Sequence, residues 1–390
     1  MSKITWVNFL HIYQPPWQEE GIVHQTARES YDYLFTLLSK YPSFTFTLNI
    51  SGSLVEQLHI LEPEILAKLQ QAVKNKRLEL TASACYHPIL PLLPEQEIVR
   101  QIKLNQDILF KYFKIKLAGF YLPEMAYSLK TAKIIKKLGF AWIILDSISA
   151  LEKIDNNILY EIKNLGLKII FRDRNYSQNY PAEIIYQKFH NKEDIKETIV
   201  TATDGEMYGH KHEDWQGHLE KILVNKNLKV LTVSQYLKTL LASRRSGKQT
   251  QVISLRDSSW ETSLKDLKQN IPFALWQNPK NPIHQVLWQL TNFSIGLVKK
   301  YPKDQNYFWA RLHLDRGLSS CTFWWASAKK VGIFSGLAWH PDMVDNGVEE
   351  LVRSVRSLKQ ASSQEKIQAE RYYAKAKRLI WETHWRKYNT

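Results

Sequence analysis

Short apolar runs rich in β-branched and aromatic residues recur along the first 240 residues. They lie at ITWVNFL (4–10), SFTFTLNI (43–50), LELTASA (78–84), AGFYL (118–122), FAWIILD (140–146), LKIIFRD (167–173), TIVTATD (198–204) and LKVLTV (228–233). Between them come amphipathic stretches such as ARESYDYLFTLLSK, EQEIVRQIKLNQDILFKYF and LKTAKIIKKLG, whose apolar spacing is helical. Strands alternating with helices predict a parallel sheet, and seven or eight such units predict a barrel. The last third changes character. It has few β runs, helical patterns at 282–300, 303–318, 346–361 and 363–387, and nine of the thirteen tryptophans. The polar stretch SRRSGKQTQ (243–251), carrying Gly247, marks a soft boundary. The expected organisation is a barrel over 1–245, then a mainly helical region over 250–390 that packs on it and completes its cleft.

Composition narrows the class. The chain has 390 residues, 44% hydrophobic and 23% charged, in the range of soluble globular proteins. No run approaches the ~18 apolar residues that span a bilayer, so no membrane association is expected. The N-terminus shows no signal-peptide pattern, and Cys85 and Cys321 are too few for a disulfide framework, which makes the cytoplasm the expected compartment. The net charge of +15 is spread over pieces such as KIIKK, KNKR and KAKR, without a nucleic-acid-binding signature, so no specific nucleic-acid partner is expected. Oligomeric state leaves no trace in the sequence.

Chemistry in a β/α barrel gathers where the strands end. Here nearly every strand exit carries a polar or ionisable residue: His11 and Gln14, Asn49 and Ser51, His87, Glu124, Asp146, Arg172 and Asp173, and Asp204 with Glu206. Helix capping accounts for residues such as Ser51 or Asp146. It does not account for Glu124, which follows Pro123 and precedes the apolar MAY. Arg172 and Asp173 are expected to form an ion pair beneath the site. Two carboxylates brought together by separate strands are the minimum apparatus for glycoside cleavage.

The motifs resemble glycoside hydrolase family 57, the α-glucan-active amylases, glucanotransferases and branching enzymes. HIYQPP, ACYHPILPLL, FYLPE and DGEMYG match four of that family's five regions in order. The resemblance implies an incomplete (β/α)7 barrel, a retaining mechanism, Glu124 as nucleophile and Asp204 as general acid/base with a raised pKa, with no metal or cofactor. It further implies an α-glucan or oligosaccharide substrate, held by His11, Gln14, His87, Glu206, Trp260, Trp324 and Trp325. Two departures stand out. Tyr13 replaces a second histidine, and the fifth region, SSCTFWWAS, has Cys321 and Thr322 and no Asp, leaving hydrolysis and transfer both open. Each residue also has a plainer reading: Asp204 as a helix cap, His11 and His87 as core histidines, the tryptophans as packing. Two other classes stay open. One is a metal-dependent deacetylase or mannosidase on a related barrel, with Asp204, Glu206, His210 and His212 as the candidate ligands; the other is a noncatalytic glucan-binding homologue.

Overall fold

In the computed structural model, which describes residues 4–177, 179–191, 196–244, 250–330 and 337–387, ten strands make up the sheet structure of the first part of the chain. They are β1 (Ile4–Ile12), β2 (Phe46–Ile50), β3 (Leu78–Thr81), β4 (Gly119–Tyr121), β5 (Trp142–Asp146), β6 (Tyr160–Ile162), β7 (Lys168–Arg172), β8 (Thr198–Asp204), β9 (Leu228–Leu231) and β10 (Gln251–Ile253). Strands β8, β1, β2 and β3 are parallel neighbours in that order. A parallel bridge from Ala82 to Phe120 carries the sheet on to β4, and β4 pairs with β5 and β5 with β7, all parallel. Seven parallel strands therefore follow one another around a barrel. Among the described residues no ladder joins β7 to β8. A single backbone bond, Asp173 N–H to the Val200 carbonyl at 2.7 Å, spans the gap. The barrel is incomplete, of the (β/α)7 kind.

The apolar runs reflect burial on both faces, as parallel sheets require. Val7, Phe9, Tyr121, Ile144, Ile170, Val200 and Ala202 share one interior cluster. Strand β9 pairs with Ile4–Val7 while β2 pairs with Phe9–Ile12, so two strands share one edge of β1. Ser51 caps the helix Gly52–Leu61 by accepting the Leu54 N–H at 3.2 Å. Strands β6 and β10, three residues each, were not foreseen; YEI and QVI are too short to make a pattern. Strand β10 begins at Gln251, inside the expected boundary stretch, of which 245–249 lie outside the described residues.

The chain divides into two units. The first holds residues 1–14, 18–85 and 90–260, and the second holds 15–17, 86–89 and 261–390. The second is helical, with Pro282–Lys300, Tyr307–Gly317, Ser320–Trp325, Pro341–Arg356 and Ser363–Lys387. Its core includes Leu287, Leu290, Leu314, Val348, Leu351 and Ile380. The pattern at 346–361 begins earlier, because His340 accepts the Met343 N–H (3.4 Å) and Pro341 suits a first helical turn. Gly347 is required there: a Cβ would lie 1.9 Å from the Thr322 hydroxyl. Thr322, where the fifth region departs from the family, is thus a fully buried packing residue. No helix among the described residues is long and apolar enough to cross a membrane.

Candidate active site

Strand β4 runs out through Leu122 into the turn Pro123–Met125. Glu124 and Met125 both adopt left-handed backbone, at φ 59° and 48°. For residues with a Cβ this costs about 1–3 kcal/mol each and persists only where neighbours impose it. They do. The Tyr127 N–H donates to the Ser258 carbonyl at 2.8 Å, and the Trp260 N–H to the Glu124 carbonyl at 3.1 Å. The Trp260 indole Nε1–H then donates to Glu124 Oε2 at 2.7 Å. Beneath, the indole lies 5.0 Å from the Arg172 guanidinium. Arg172 donates to Asp146 Oδ2 at 2.6 Å and to the Ala202 carbonyl at 2.9 Å. Arg174 donates to the Trp260 carbonyl at 2.5 Å. An ion pair, a cation–π contact and a charge-assisted hydrogen bond thus link Asp146 at the β5 exit to the Glu124 carboxylate.

The expected Arg172–Asp173 pair does not form. The β5–β7 register sets Arg172 directly beside Asp146. Asp173, one residue on, instead pairs with Lys196 and caps Asn175 and Tyr176.

Replacing Trp260 by Phe keeps a ring and removes the donor. The expected result is a fall in kcat of about 10²-fold with little change in KM, the scale of a reacting group displaced by about 1 Å. Steady-state kinetics beside a thermal melt checks this; an unchanged kcat would remove Trp260 from positioning.

Strand β8 ends at Asp204 and turns through Gly205–Met207. A Cβ on Gly205 would meet Ile12 Cγ2 at 2.4 Å, and one on Gly209 (φ 97°) would meet the Glu29 carbonyl oxygen at 2.1 Å. The two glycines let the loop press against its neighbours and double back. The Lys211 N–H donates to the Glu206 carbonyl at 2.7 Å, and Lys211 Nζ reaches Asp204 Oδ2 at 3.0 Å. Glu206 is buried and accepts the Tyr31 hydroxyl at 2.6 Å, with Gln14 Nε2 at 3.5 Å. His11, opposite Asp204 in the β1–β8 register, is bonded through Nδ1 to Asn49 Oδ1 at 2.8 Å. Its ring stacks on Tyr121 (4.6 Å) and meets Trp260 edge-on (6.1 Å).

Burial pushes the Tyr121 phenol well above its ordinary pKa, and the charges of Glu124, Asp204 and Glu206 add to the effect. Three carboxylates thus act on one hydroxyl. Burial lowers His11 to about 4, so its imidazole is neutral at pH 7. The two acids of the β8 loop are driven apart. Burial and then the Asp204 charge raise Glu206. Burial also pushes Asp204 up, but the Lys211 ammonium, His11 and Arg172 together bring it below the usual range. The expectation of a raised Asp204 is corrected: the opposing cation is Lys211, which the loop folds back to deliver.

Six of the nine residues proposed from the sequence, His11, Gln14, Glu124, Asp204, Glu206 and Trp260, belong to the first unit. Asn49, Tyr31, Tyr121 and Lys211 join them. Asn49 stood at a strand exit; Tyr31 and Lys211 carried no sequence signal. His87, Trp324 and Trp325 belong to the second unit. His87 Nδ1 lies 2.9 Å from the Ser320 hydroxyl, and the two tryptophans meet edge to face at 4.3 Å on the helix Ser320–Trp325. The histidine pair of the β8 loop is engaged elsewhere: His210 with Glu29 at 2.5 Å, His212 against the Tyr180 ring at 4.5 Å.

The sequence profile described as glycosyl hydrolase family 57 matches residues 10–255. The chain belongs to this family. The chain is also similar to individual proteins. An α-amylase of Pyrococcus horikoshii is 27% identical over 220 residues, covering 54% of this chain and 35% of that protein. The chain therefore spans about a third of the length of this curated relative. Among solved structures, a 4-α-glucanotransferase of Thermococcus litoralis superposes at TM-score 0.70 and 18% identity, over 92% of this chain and 60% of that one. An α-amylase of Thermotoga maritima superposes at TM-score 0.67 and 15% identity, over 97% and 98%. At such identities the superpositions speak for the fold.

Proposed function

We propose that this family 57 chain is a retaining glycoside hydrolase or transglycosylase acting on α-linked glucans or maltooligosaccharides. Glu124 is the nucleophile and Asp204 the general acid/base. The observation that carries this reading is the clamp on Glu124, whose carboxylate accepts the Trp260 Nε1–H at 2.7 Å and whose strained backbone is tied by the Trp260 N–H to the Glu124 carbonyl at 3.1 Å. A surface carboxylate needs no such support.

In the first step a Glu124 oxygen attacks the anomeric carbon while Asp204 delivers its proton to the departing glycosidic oxygen. In the second, Asp204 takes a proton from a water or from a sugar hydroxyl, whose oxygen displaces Glu124. Trp260 steadies the nucleophile. Neutral His11, Gln14 and Glu206 are assigned to sugar hydroxyls. For His87, Trp324 and Trp325 the support is their motif position. The related amylases and glucanotransferases support the substrate class.

The test uses the intact protein and maltooligosaccharides of several lengths, with products sized and their anomeric form followed by proton NMR. Early α-anomeric products are expected; longer ones would mark transfer, and shorter ones alone would mark hydrolysis. Early β-anomers would overturn the mechanism, and inertness towards every α-glucan would overturn the substrate class.

A further inference from the structure

Lys211 takes no part in the steps above, yet it forms the ion pair on the proposed acid. Its position is built in: Gly209 turns the loop, the Lys211 N–H is anchored on the Glu206 carbonyl, and Nζ comes to 3.0 Å from Asp204 Oδ2. The Lys211 side chain is 38% exposed, so the ammonium has an open way to water. Asp204 itself is 33% exposed. An acid that must donate a proton is thus held beside a cation that favours its ionised form.

We infer that Lys211 is a substrate-displaced counter-ion, a positioning residue that keeps Asp204 ionised in the empty site and withdraws when a sugar reaches the carboxylate. The inference rests on Asp204 being the acid/base. The other groups acting on Asp204 leave Lys211 as the one that can move. His11 is neutral and fixed on Asn49, Arg172 is committed to Asp146, and Glu206 is fixed on Tyr31. With the ammonium gone, burial favours the protonated acid, and Asp204 takes a proton from solvent. When the products leave, the pair re-forms. Protonation of the acid therefore waits on occupancy.

The experiment compares Lys211→Met, Lys211→Gln and Lys211→Arg with wild type, measuring kcat and kcat/KM against pH on a maltooligosaccharide, alongside Asp204→Asn. Removing a positive charge raises the free enzyme's Asp204 pKa, and groups of the free enzyme shape kcat/KM. The alkaline limb of kcat/KM should move up by about one pH unit in Lys211→Met and Lys211→Gln, the scale of one unit charge lost at about 4 Å from a part-exposed carboxylate. Above the limb that is a gain of about tenfold over wild type in those two variants. The kcat profile, set by the occupied enzyme, should keep its limb, and Lys211→Arg should keep both. A rise in KM equal at every pH, with the limb unmoved, would make Lys211 a sugar contact and overturn the inference. Limbs of kcat and kcat/KM moving together would overturn it too, since the pair would then persist in the occupied site. Wild-type turnover in Asp204→Asn would instead remove the acid/base assignment beneath it.

Discussion

Glu124→Gln should lower kcat by at least about 10⁴-fold while leaving sugar binding nearly unchanged, because an amide cannot form the glycosyl–enzyme bond. The substitution is nearly isosteric. The Gln carbonyl oxygen can still accept the Trp260 Nε1–H, now 2.7 Å from Glu124 Oε2, and the Trp260 N–H to the residue's carbonyl is untouched. The left-handed turn at Glu124 and Met125 therefore keeps its anchors, and the melting temperature should stay close to that of wild type. Kinetics with maltooligosaccharides, calorimetric binding and a thermal melt check the three parts. A rate within about tenfold of wild type would mean a barrier raised by no more than about 1.4 kcal/mol and would remove Glu124 as nucleophile.

The second large effect depends on the leaving group. Asp204→Asn should cost about 10²–10⁴-fold on a maltooligosaccharide, the range typical of a lost general acid. On α-maltosyl fluoride, whose fluoride departs without a proton, the loss in the glycosylation step should be much smaller. The variant leaves Lys211 without its partner, but that ammonium is 38% exposed and the pair contributes little to stability. Initial rates on both donors make the comparison. Equal losses on the two would show that Asp204 acts before any bond to the leaving group breaks, and would take away its role as acid.

Much of the barrel was legible because its strands, four to nine residues long, are buried on both faces and are rich in apolar and β-branched residues. The exits were legible for the complementary reason: a polar residue ending such a run has no packing role to explain it. What escaped was whatever depends on distance through space. The clamp on Glu124 comes from Trp260, 136 positions along the chain, and no local pattern links them. The partner of Arg172 was misread as its neighbour Asp173, since only the β5–β7 register places Asp146 at its side. Lys211 stood between two histidines that drew the eye, and its effect on Asp204 needs the backward fold that Gly209 allows.

The shared edge of β1 also bears on how the chain is made. Its first strand pairs with residues 198–204 on one side and, at Ile4–Val7, with 228–231 on the other. Each partner residue lies at least 193 positions further along the chain, the separation of Thr5 from Thr198. Such non-local pairings form late and slowly, and an unpaired apolar strand is a template for aggregation meanwhile. Strand β1, which later supplies His11 to the site, is therefore a segment in need of shelter while the chain is made.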